Sequence, residues 1–444
     1  MEPASLLTMP DEILVKICED LCCHCSAVTT ETWDFRKCSK SAFSSLIQTC
    51  RRLRDVVQPV QYHEVFPSDF RPLLRTIIAR PDLAARVRRF YIIDMMNSEF
   101  SAEDVEMLRA EARRHKIGKC DEWLQTIKDH EYDSQLRLLE LTLARLPKLE
   151  TLYIQEPGRY RTKLNVSLKA LTEMPSITNL ELCIHENTDL GRMHDFISML
   201  PRLEKLTVEL CGKISQHLPL SELRSVVLCE SYISVASLQN LVSSCPKLEH
   251  FEYYDGDLGL SVEDESQMDF ASFTWGQAQR ILHARRETLK ALNFEFGPDY
   301  LAIPREPLGE DDYLHSFHDF DKLETLWVRT TSFGTDDDEK DVPLFPQDVQ
   351  ELVKMLPPSL ICLGFSGSHK NWDGVKTLAN AIRGGHFQRL KKVVLEQEQA
   401  EFQKSCEILA AVGVVCKQFE MGRYWYFPHE DHHEELSMTK RYLH

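Results

Sequence analysis

The sequence lacks an excess of basic residues, a long apolar run and a basic N-terminal segment. Of its 444 residues, 69 are acidic and 52 are basic, which gives a formal net charge of −17. Because an acidic chain repels phosphate backbones, we expect no nucleic-acid partner. No stretch reaches the ~18 consecutive apolar residues of a membrane helix, and the acidic start at 1–12 is unlike a signal peptide. We therefore expect no membrane partner, and a cytoplasmic or nuclear location.

Motifs that are typical of several enzyme classes are also missing. The sequence has no Gly-rich phosphate loop that ends in Lys-Ser or Lys-Thr, and 364–368 lacks the second glycine of a nucleophile elbow. His429 and His433 have the spacing of a zinc-protease motif, but they follow Pro428 in a polar segment, where no cleft-lining helix is expected. A hydrolase built on these histidines is the less favoured alternative. We predict a protein that is not an enzyme and that uses no cofactor.

Cysteine is not scarce, but its spacing lacks the second pair that zinc sites usually show. We expect the 14 cysteines to be reduced thiols, because the chain does not read as secreted. Cys22 and Cys25 form one Cys-x-x-Cys pair around His24, and only the single cysteines Cys38 and Cys50 follow nearby. Structural zinc usually takes two pairs of Cys or His ligands. We predict no metal site, although the sequence alone leaves metal binding by this pair open.

The sequence does contain one apolar spacing that recurs along most of its length. It consists of an aliphatic residue, two variable residues, a second apolar residue, one variable residue and a third apolar residue. The last two apolar positions alternate with polar ones, which predicts a half-buried strand. In five copies a proline lies two residues before the first apolar position, where it would end a preceding helix. The ten copies begin at Val87, Leu149, Ile177, Leu203, Leu223, Leu248, Leu289, Leu323, Leu360 and Leu390.

Upstream of most copies the apolar period changes to 3.6, which predicts a helix before each strand. Val235, Leu238 and Leu241, for example, share one helical face. A single helix–strand unit cannot bury its apolar face, so we expect the units to stack into a solenoid. The pattern resembles leucine-rich repeats, although the usual Asn after the third apolar position is absent and the units are uneven. We assign an irregular leucine-rich-repeat-like α/β solenoid to 66–425 and a polar C-terminal tail to 426–444.

Acidic insertions interrupt this rhythm at 255–272, 297–321 and 336–339. Their glycine, proline and acidic residues predict loops. Two interpretations of these loops remain open. They are either solvated surface segments, which such charge runs usually are, or an acidic rim that recognises a basic partner.

Residues 9–63 follow a different pattern. Met9-Pro10-Asp11-Glu12-Ile13-Leu14 opens a helix, because proline suits the first turn and acidic side chains there favour the helix dipole. A second helix is predicted from about Lys40 to Asp55. Together with the Leu-Ile-Gln-Thr-Cys-Arg-Arg-Leu-Arg run at 46–54, this segment resembles the F-box in the form common in large fungal families. The segment 22–39 is longer than the usual loop of that family.

The resemblance implies a short all-α F-box module at 1–65 and a role for it. F-box modules dock on a Skp-type adaptor, which joins them to a cullin–RING ubiquitin ligase, while a downstream repeat domain holds the substrate protein. The alternative for the module is a helical cap on the first repeat, and the alternative for the whole chain is a protein-binding scaffold with no ubiquitin role. The predicted adaptor-docking residues are Pro10, Ile13, Leu14, Ile17, Leu46, Cys50 and Leu53. The predicted substrate contacts are the outward strand positions Tyr153, Glu181, His250, Glu252, Asn293 and Trp327. For Trp327 the alternative is a packed side chain beneath the acidic segment that follows it.

Overall fold

The computed structural model divides the chain into two compact units. The first unit comprises residues 1–162, 167–181 and 421–444, and the second comprises 163–166 and 182–420. The predicted module boundary at residue 65 falls inside the first unit. The residues that the structure describes are 8–26, 33–67, 70–92, 100–115, 117, 121–122, 124, 132–155, 173–254, 273–295, 315–329, 353–366, 374–395 and 399–418. The predicted tail, the histidines in it and most of the acidic insertions lie outside these ranges.

The first unit begins with three helices instead of the two predicted ones. Helix α2 ends at Thr49 and helix α3 starts at Arg51, because Cys50 between them is extended (φ −158°, ψ 165°) and its sulfur accepts the Leu53 amide as an N-cap. The predicted second helix, from Lys40 to Asp55, is therefore wrong at this break. The helices of the unit are α1 (Asp11–Leu21), α2 (Trp33–Thr49), α3 (Arg51–Gln61), α4 (Phe70–Ala79), α5 (Pro81–Ala84), α6 (Ala102–Arg114) and α7 (Tyr132–Leu143).

A small core holds the first three helices together. Cys18, Cys22, Phe43, Val57 and Val60 are buried against one another, and Leu21, Cys25, Leu46 and Ile47 pack around them. At the start of α1, the Arg52 guanidinium of α3 donates to Asp11 at 2.7 and 2.9 Å and to the Met9 carbonyl at 2.5 Å. The two ends of the F-box-like motif, 9–14 and 46–54, are thus in direct contact.

The strands of each unit are parallel and adjacent in chain order. In the first unit they are β1 (Glu64–Val65), β2 (Arg89–Ile92) and β3 (Thr151–Gln155). Strand β4 (Asn179–Asp189) spans the boundary between the units. The strands of the second unit are β5 (Lys205–Lys213), β6 (Ser225–Cys229), β7 (His250–Tyr254), β8 (Ala291–Glu295), β9 (Thr325–Arg329), β10 (Cys362–Ser366), β11 (Lys392–Leu395) and β12 (Val415–Gln418).

Helices precede several of these strands, as the change of period predicts, although the described residues between β5 and β6 contain none. These helices are α8 (His194–Ser198), α9 (Val235–Ser244), α10 (Trp275–Leu282), α11 (Gly374–Arg383) and α12 (Gln399–Ala410). The chain is mixed α/β with an open parallel sheet arrangement. Among the helices that the structure describes, none combines the length and the hydropathy needed to cross a membrane.

The strand register follows the apolar repeat. In the second unit the middle apolar residue of each copy pairs with that of the next, and those residues are at most 1% exposed. They are Leu206, Val226, Phe251, Leu292, Leu326, Leu363 and Val393. The repeat therefore predicts both the strands and their alignment. Two strands, β1 and β12, lie outside the ten copies and are missing from the prediction.

Nine of the described strands, β2 to β4 and β6 to β11, are entered through the same hydrogen-bond pattern. Two consecutive amides at the start of the strand donate to one carbonyl near the start of an earlier strand. Arg88 and Arg89 donate to the His63 carbonyl at 2.9 Å each, and Glu150 and Thr151 donate to the Arg88 carbonyl at 2.7 and 2.9 Å. This pattern satisfies backbone groups that the turn would otherwise bury without partners.

Candidate functional site

The seven predicted docking residues fall into two groups by exposure. Leu14 and Leu53 are only 3% and 4% exposed, so they belong to the interior of the first unit and not to a docking surface. Their place in the sequence motif does not reveal this, because neighbouring helix positions face in different directions. The remaining five are accessible: Pro10, Ile13 and Ile17 are exposed, and Leu46 and Cys50 are half-buried.

Helix α1 presents an apolar strip to solvent. Ile13 is 50% exposed and Ile17 is 36% exposed, and the two lie one turn apart on the same helical face. Among the residues that the structure describes, only Val415 is a further exposed large hydrophobic residue. The exposed isoleucines are therefore concentrated on one helix of the F-box-like motif.

The six predicted substrate contacts lie on strands, but most of them are not accessible. Tyr153, Glu252, Asn293 and Trp327 are 9% exposed or less, and Glu181 and His250 are half-buried. In the second unit Glu252 pairs with Asn293, and Asn293 pairs with Trp327. These three residues thus form one row across neighbouring strands. Accessible side chains are therefore not found at Glu252 and Asn293, and Trp327 follows the alternative of a packed side chain.

Two kinds of contact hold the side chains of this buried row: hydrogen bonds around Glu252 and the packing of Trp327 on a glycine. The Tyr254 hydroxyl donates to Glu252 Oε2 at 2.7 Å and accepts a hydrogen bond from Asn293 Nδ2 at 2.7 Å. Burial raises the pKa of Glu252, although the hydrogen bonds oppose that shift. Trp327 lies over Gly364 of the next strand, where an added Cβ would approach Trp327 Cε3 to 1.6 Å. Gly364 is thus needed for the indole to pack flat on the sheet.

The first unit contains a cluster of soft ligands that the sequence spacing does not predict. The ligand atoms of Cys22, His24, Cys25 and His63 all lie within 4.8 Å of one another. His63 follows Cys25 by 38 residues, and it reaches the Cys-x-x-Cys turn because α3 ends beside it. Of the other two cysteines considered with this pair, Cys50 caps α3, and the Cys38 side chain lies outside the described residues.

The protonation of this cluster is set by its own contacts. A hydrogen bond with Cys22 lowers the pKa of Cys25. The same hydrogen bond, together with burial, raises the pKa of Cys22. Burial and the nearby Arg89 charge lower the pKa of His24, which therefore favours the neutral imidazole. The group thus offers a neutral ring nitrogen and a thiol with increased thiolate character.

A cavity of about 810 Å³ opens beside the small helical core. Its lining includes Phe43, Val60, Phe66 and Leu73. The Lys40 ammonium lies 4.6 Å from the centre of the Phe66 ring and donates to the Phe66 carbonyl at 2.9 Å. The cavity is therefore largely apolar with one cation at its edge.

No family model matches the chain, and no curated protein matches it either.

Proposed function

We propose that this protein is the substrate-recognition subunit of an SCF-type ubiquitin ligase. In this proposal residues 9–63 dock on a Skp-type adaptor, which connects the chain to a cullin. The parallel strands that follow hold a substrate protein. The chain itself carries out no chemical step; its function is to bring two proteins together.

The observation that carries the proposal is the exposed apolar strip on α1. Most apolar side chains of the described helices are buried, but Ile13 and Ile17 are left in water next to exposed Pro10. Exposed apolar side chains that cluster on one helix mark an interaction surface more often than isolated ones do. Here they coincide with the motif that resembles the F-box, and the half-buried Leu46 and Cys50 belong to its second part. Covering these residues with an apolar partner would remove their surface from water.

The substrate surface is less sharply defined. Of the six predicted contacts, Glu181 and His250 retain partial exposure, so they are the best positions at which to test substrate binding. The buried row of Glu252, Asn293 and Trp327 would act indirectly, by fixing the shape of the sheet.

A binding experiment with purified Skp-type adaptor tests the proposal. The test variant is Ile13→Asp with Ile17→Asp, because both side chains are exposed and their replacement leaves the core intact. The control is Val415→Asp, the exposed apolar residue of the second unit. We expect the wild type and the control to form a stoichiometric complex, and the double variant to lose it while keeping its circular dichroism spectrum.

Failure of the folded wild type to bind the adaptor would contradict the proposal. The three helices would then be a cap on the sheet, and the chain would be a protein-binding scaffold with no ubiquitin role. Equal loss of binding in the Val415→Asp control would also count against the α1 surface, because the effect would then not be specific to that helix.

A further inference from the structure

We propose that Cys22, His24, Cys25 and His63 form a structural zinc site. The inference is independent of the adaptor proposal, because it depends on these four side chains and on Glu150 alone. Two thiols and two imidazoles are a donor set that zinc takes in structural sites. All four belong to the first unit, and their ligand atoms lie within 4.8 Å of one another.

Two of the ligand–ligand distances are close to those of a zinc tetrahedron. Cys25 Sγ lies 3.1 Å from His63 Nδ1 and 3.4 Å from His24 Nδ1. Zinc bonds of about 2.3 Å to sulfur and about 2.0–2.1 Å to nitrogen place such ligands about 3.5 Å apart at a tetrahedral angle. Two edges of the tetrahedron therefore differ from this value by only a few tenths of an ångström, which small side-chain rotations can supply.

The backbone brings the two thiols to the same side. The Cys25 amide donates to the Cys22 carbonyl at 3.0 Å, and the Ser26 amide donates to the same carbonyl at 2.8 Å. This tight turn follows directly after α1. His63 is fixed just beyond α3 by a 3.0 Å hydrogen bond from its amide to the Val60 carbonyl. The cluster therefore joins the end of α1 to the end of α3.

The contacts of His24 favour a role as a metal ligand over a role as a hydrogen-bond partner of a thiol. Its Nδ1 faces Cys25, while its Nε2 lies 3.5 Å from Glu150 Oε2. Histidines that bind zinc commonly have a carboxylate at the second ring nitrogen, which fixes the tautomer and the ring orientation. Glu150 is itself held by Arg88 at 2.7 Å. A ring with sulfur at one nitrogen and a fixed carboxylate at the other is oriented as a ligand would be.

Zinc would replace protons at this site. Cys25 Sγ and His63 Nδ1 are hydrogen-bonded at 3.1 Å, so a proton lies between two of the ligand atoms. Binding of Zn²⁺ forms two zinc–sulfur and two zinc–nitrogen bonds, and the thiol protons pass to solvent. The four protein ligands fill the tetrahedron, so no position remains for a reactive water and the role is structural. Because the His63 carbonyl accepts the Arg88 and Arg89 amides, the ion would fasten the helices to the first strands.

Metal analysis of the purified full-length chain tests this inference. We expect about one zinc ion per chain after purification without chelator. After removal of the zinc under reducing conditions, added Co²⁺ should give the intense visible bands of tetrahedral cobalt and a thiolate charge-transfer band. The single variants Cys25→Ser and His63→Gln should each lose stoichiometric zinc. Glu150→Gln should keep it with an affinity about 10–100-fold lower, measured by chelator competition.

The matched control is Cys50→Ser, which changes a cysteine of the same helices and leaves an oxygen at the N-cap of α3. It should bind zinc like the wild type. A wild-type chain that binds neither zinc nor cobalt stoichiometrically would overturn the proposal. A weak octahedral cobalt spectrum would do the same, and so would full zinc content in both ligand variants. If a ligand variant does not fold, the cobalt spectrum of the wild type alone decides.

Discussion

The helices at 11–61 and the parallel strands of the second unit bury their apolar residues in different ways. In the sheet the same position is repeated from strand to strand, so that Val226, Phe251 and Leu292 each pair with an equivalent neighbour. The described part of the helices is held by a small cluster of five buried residues, two of which are cysteines. The sheet can therefore lose one contact and keep the others, whereas the helices depend on few contacts and leave Ile13 and Ile17 exposed. The difference suggests that the helices rely on a partner or an ion for stability.

The largest expected effect comes from a matched pair of core substitutions. Val57 of α3 and Val226 of β6 are both fully buried, so alanine at either position should cost about 2–3 kcal/mol of unfolding free energy. The consequences should differ in extent. With Val57→Ala we expect loss of amide hydrogen-exchange protection throughout α1, α2 and α3, because the core there is small.

With Val226→Ala we expect reduced protection in β5, β6 and β7 and little change in β10 and β11, because stacked units interact with their nearest neighbours. Hydrogen exchange followed by mass spectrometry checks both variants under identical conditions. If both variants lost hydrogen-exchange protection equally across the whole chain, the distinction between the two regions would be contradicted.

The next effect is a pH dependence of opposite sign in the two units. In the first unit, burial opposes the ionisation of Asp104, but hydrogen bonds from Arg75 and Ser101 outweigh it and lower its pKa to about 2. Its contribution to stability is therefore present above its unfolded pKa of about 3.9 and is lost as the pH falls towards 2. In the second unit burial raises the pKa of Glu252. Its contribution is present below its unfolded pKa and is lost as the pH rises through the folded value.

The variants Asp104→Asn and Glu252→Gln should each flatten one of these dependences and leave the other. The measurement is amide exchange of each unit, or urea unfolding, between about pH 2 and pH 6, a range that covers the unfolded carboxyl pKa values and the folded pKa of Asp104. If the Glu252→Gln variant removed the acid sensitivity of the first unit, the two carboxyl groups would be assigned to the wrong pH transitions.

The smallest expected effect is on the stability of the docking variant. Ile13→Asp with Ile17→Asp should change the unfolding free energy by less than about 0.5 kcal/mol per residue, because the side chains are already in water. The paired comparison is Leu14→Asp, whose buried side chain would place a carboxylate in the core and unfold the helices. Thermal unfolding distinguishes the two. A large loss of stability in the exposed pair would mean that these isoleucines pack inside the protein.

The sequence predicts the repeating part of the fold because each copy of the apolar spacing alternates with polar residues, and alternation determines which face of a strand is buried. It does not predict β1 or β12, because Glu64–Val65 is too short for a pattern and Val415 is exposed at the last strand. The apolar pattern does not predict the break between α2 and α3. That break depends on the extended backbone of Cys50 and on its sulfur, which caps α3. The sequence leaves open whether Trp327 is accessible or packed, because the space above Gly364 arises only when the two strands pair.

The candidate sites are likewise predictable from the sequence only where the spacing along one element determines them. Pro10, Ile13 and Ile17 are exposed, as a docking surface requires, and their docking stays a prediction. The inward position of Leu14 and Leu53 depends on how α1 packs against α3. The Cys-x-x-Cys pair can be recognised in the sequence. The proximity of His63 cannot, because it arises only when the end of α3 lies beside this pair in the folded chain.

The proposed role is tested most directly by the footprint of a Skp-type adaptor on the full-length chain, measured by hydrogen exchange with and without the adaptor. The account predicts added protection in α1 and at the junction of α2 and α3, with no change in the strands β5 to β12. Stoichiometric binding that protects only the strands, or an unchanged α1, would contradict it.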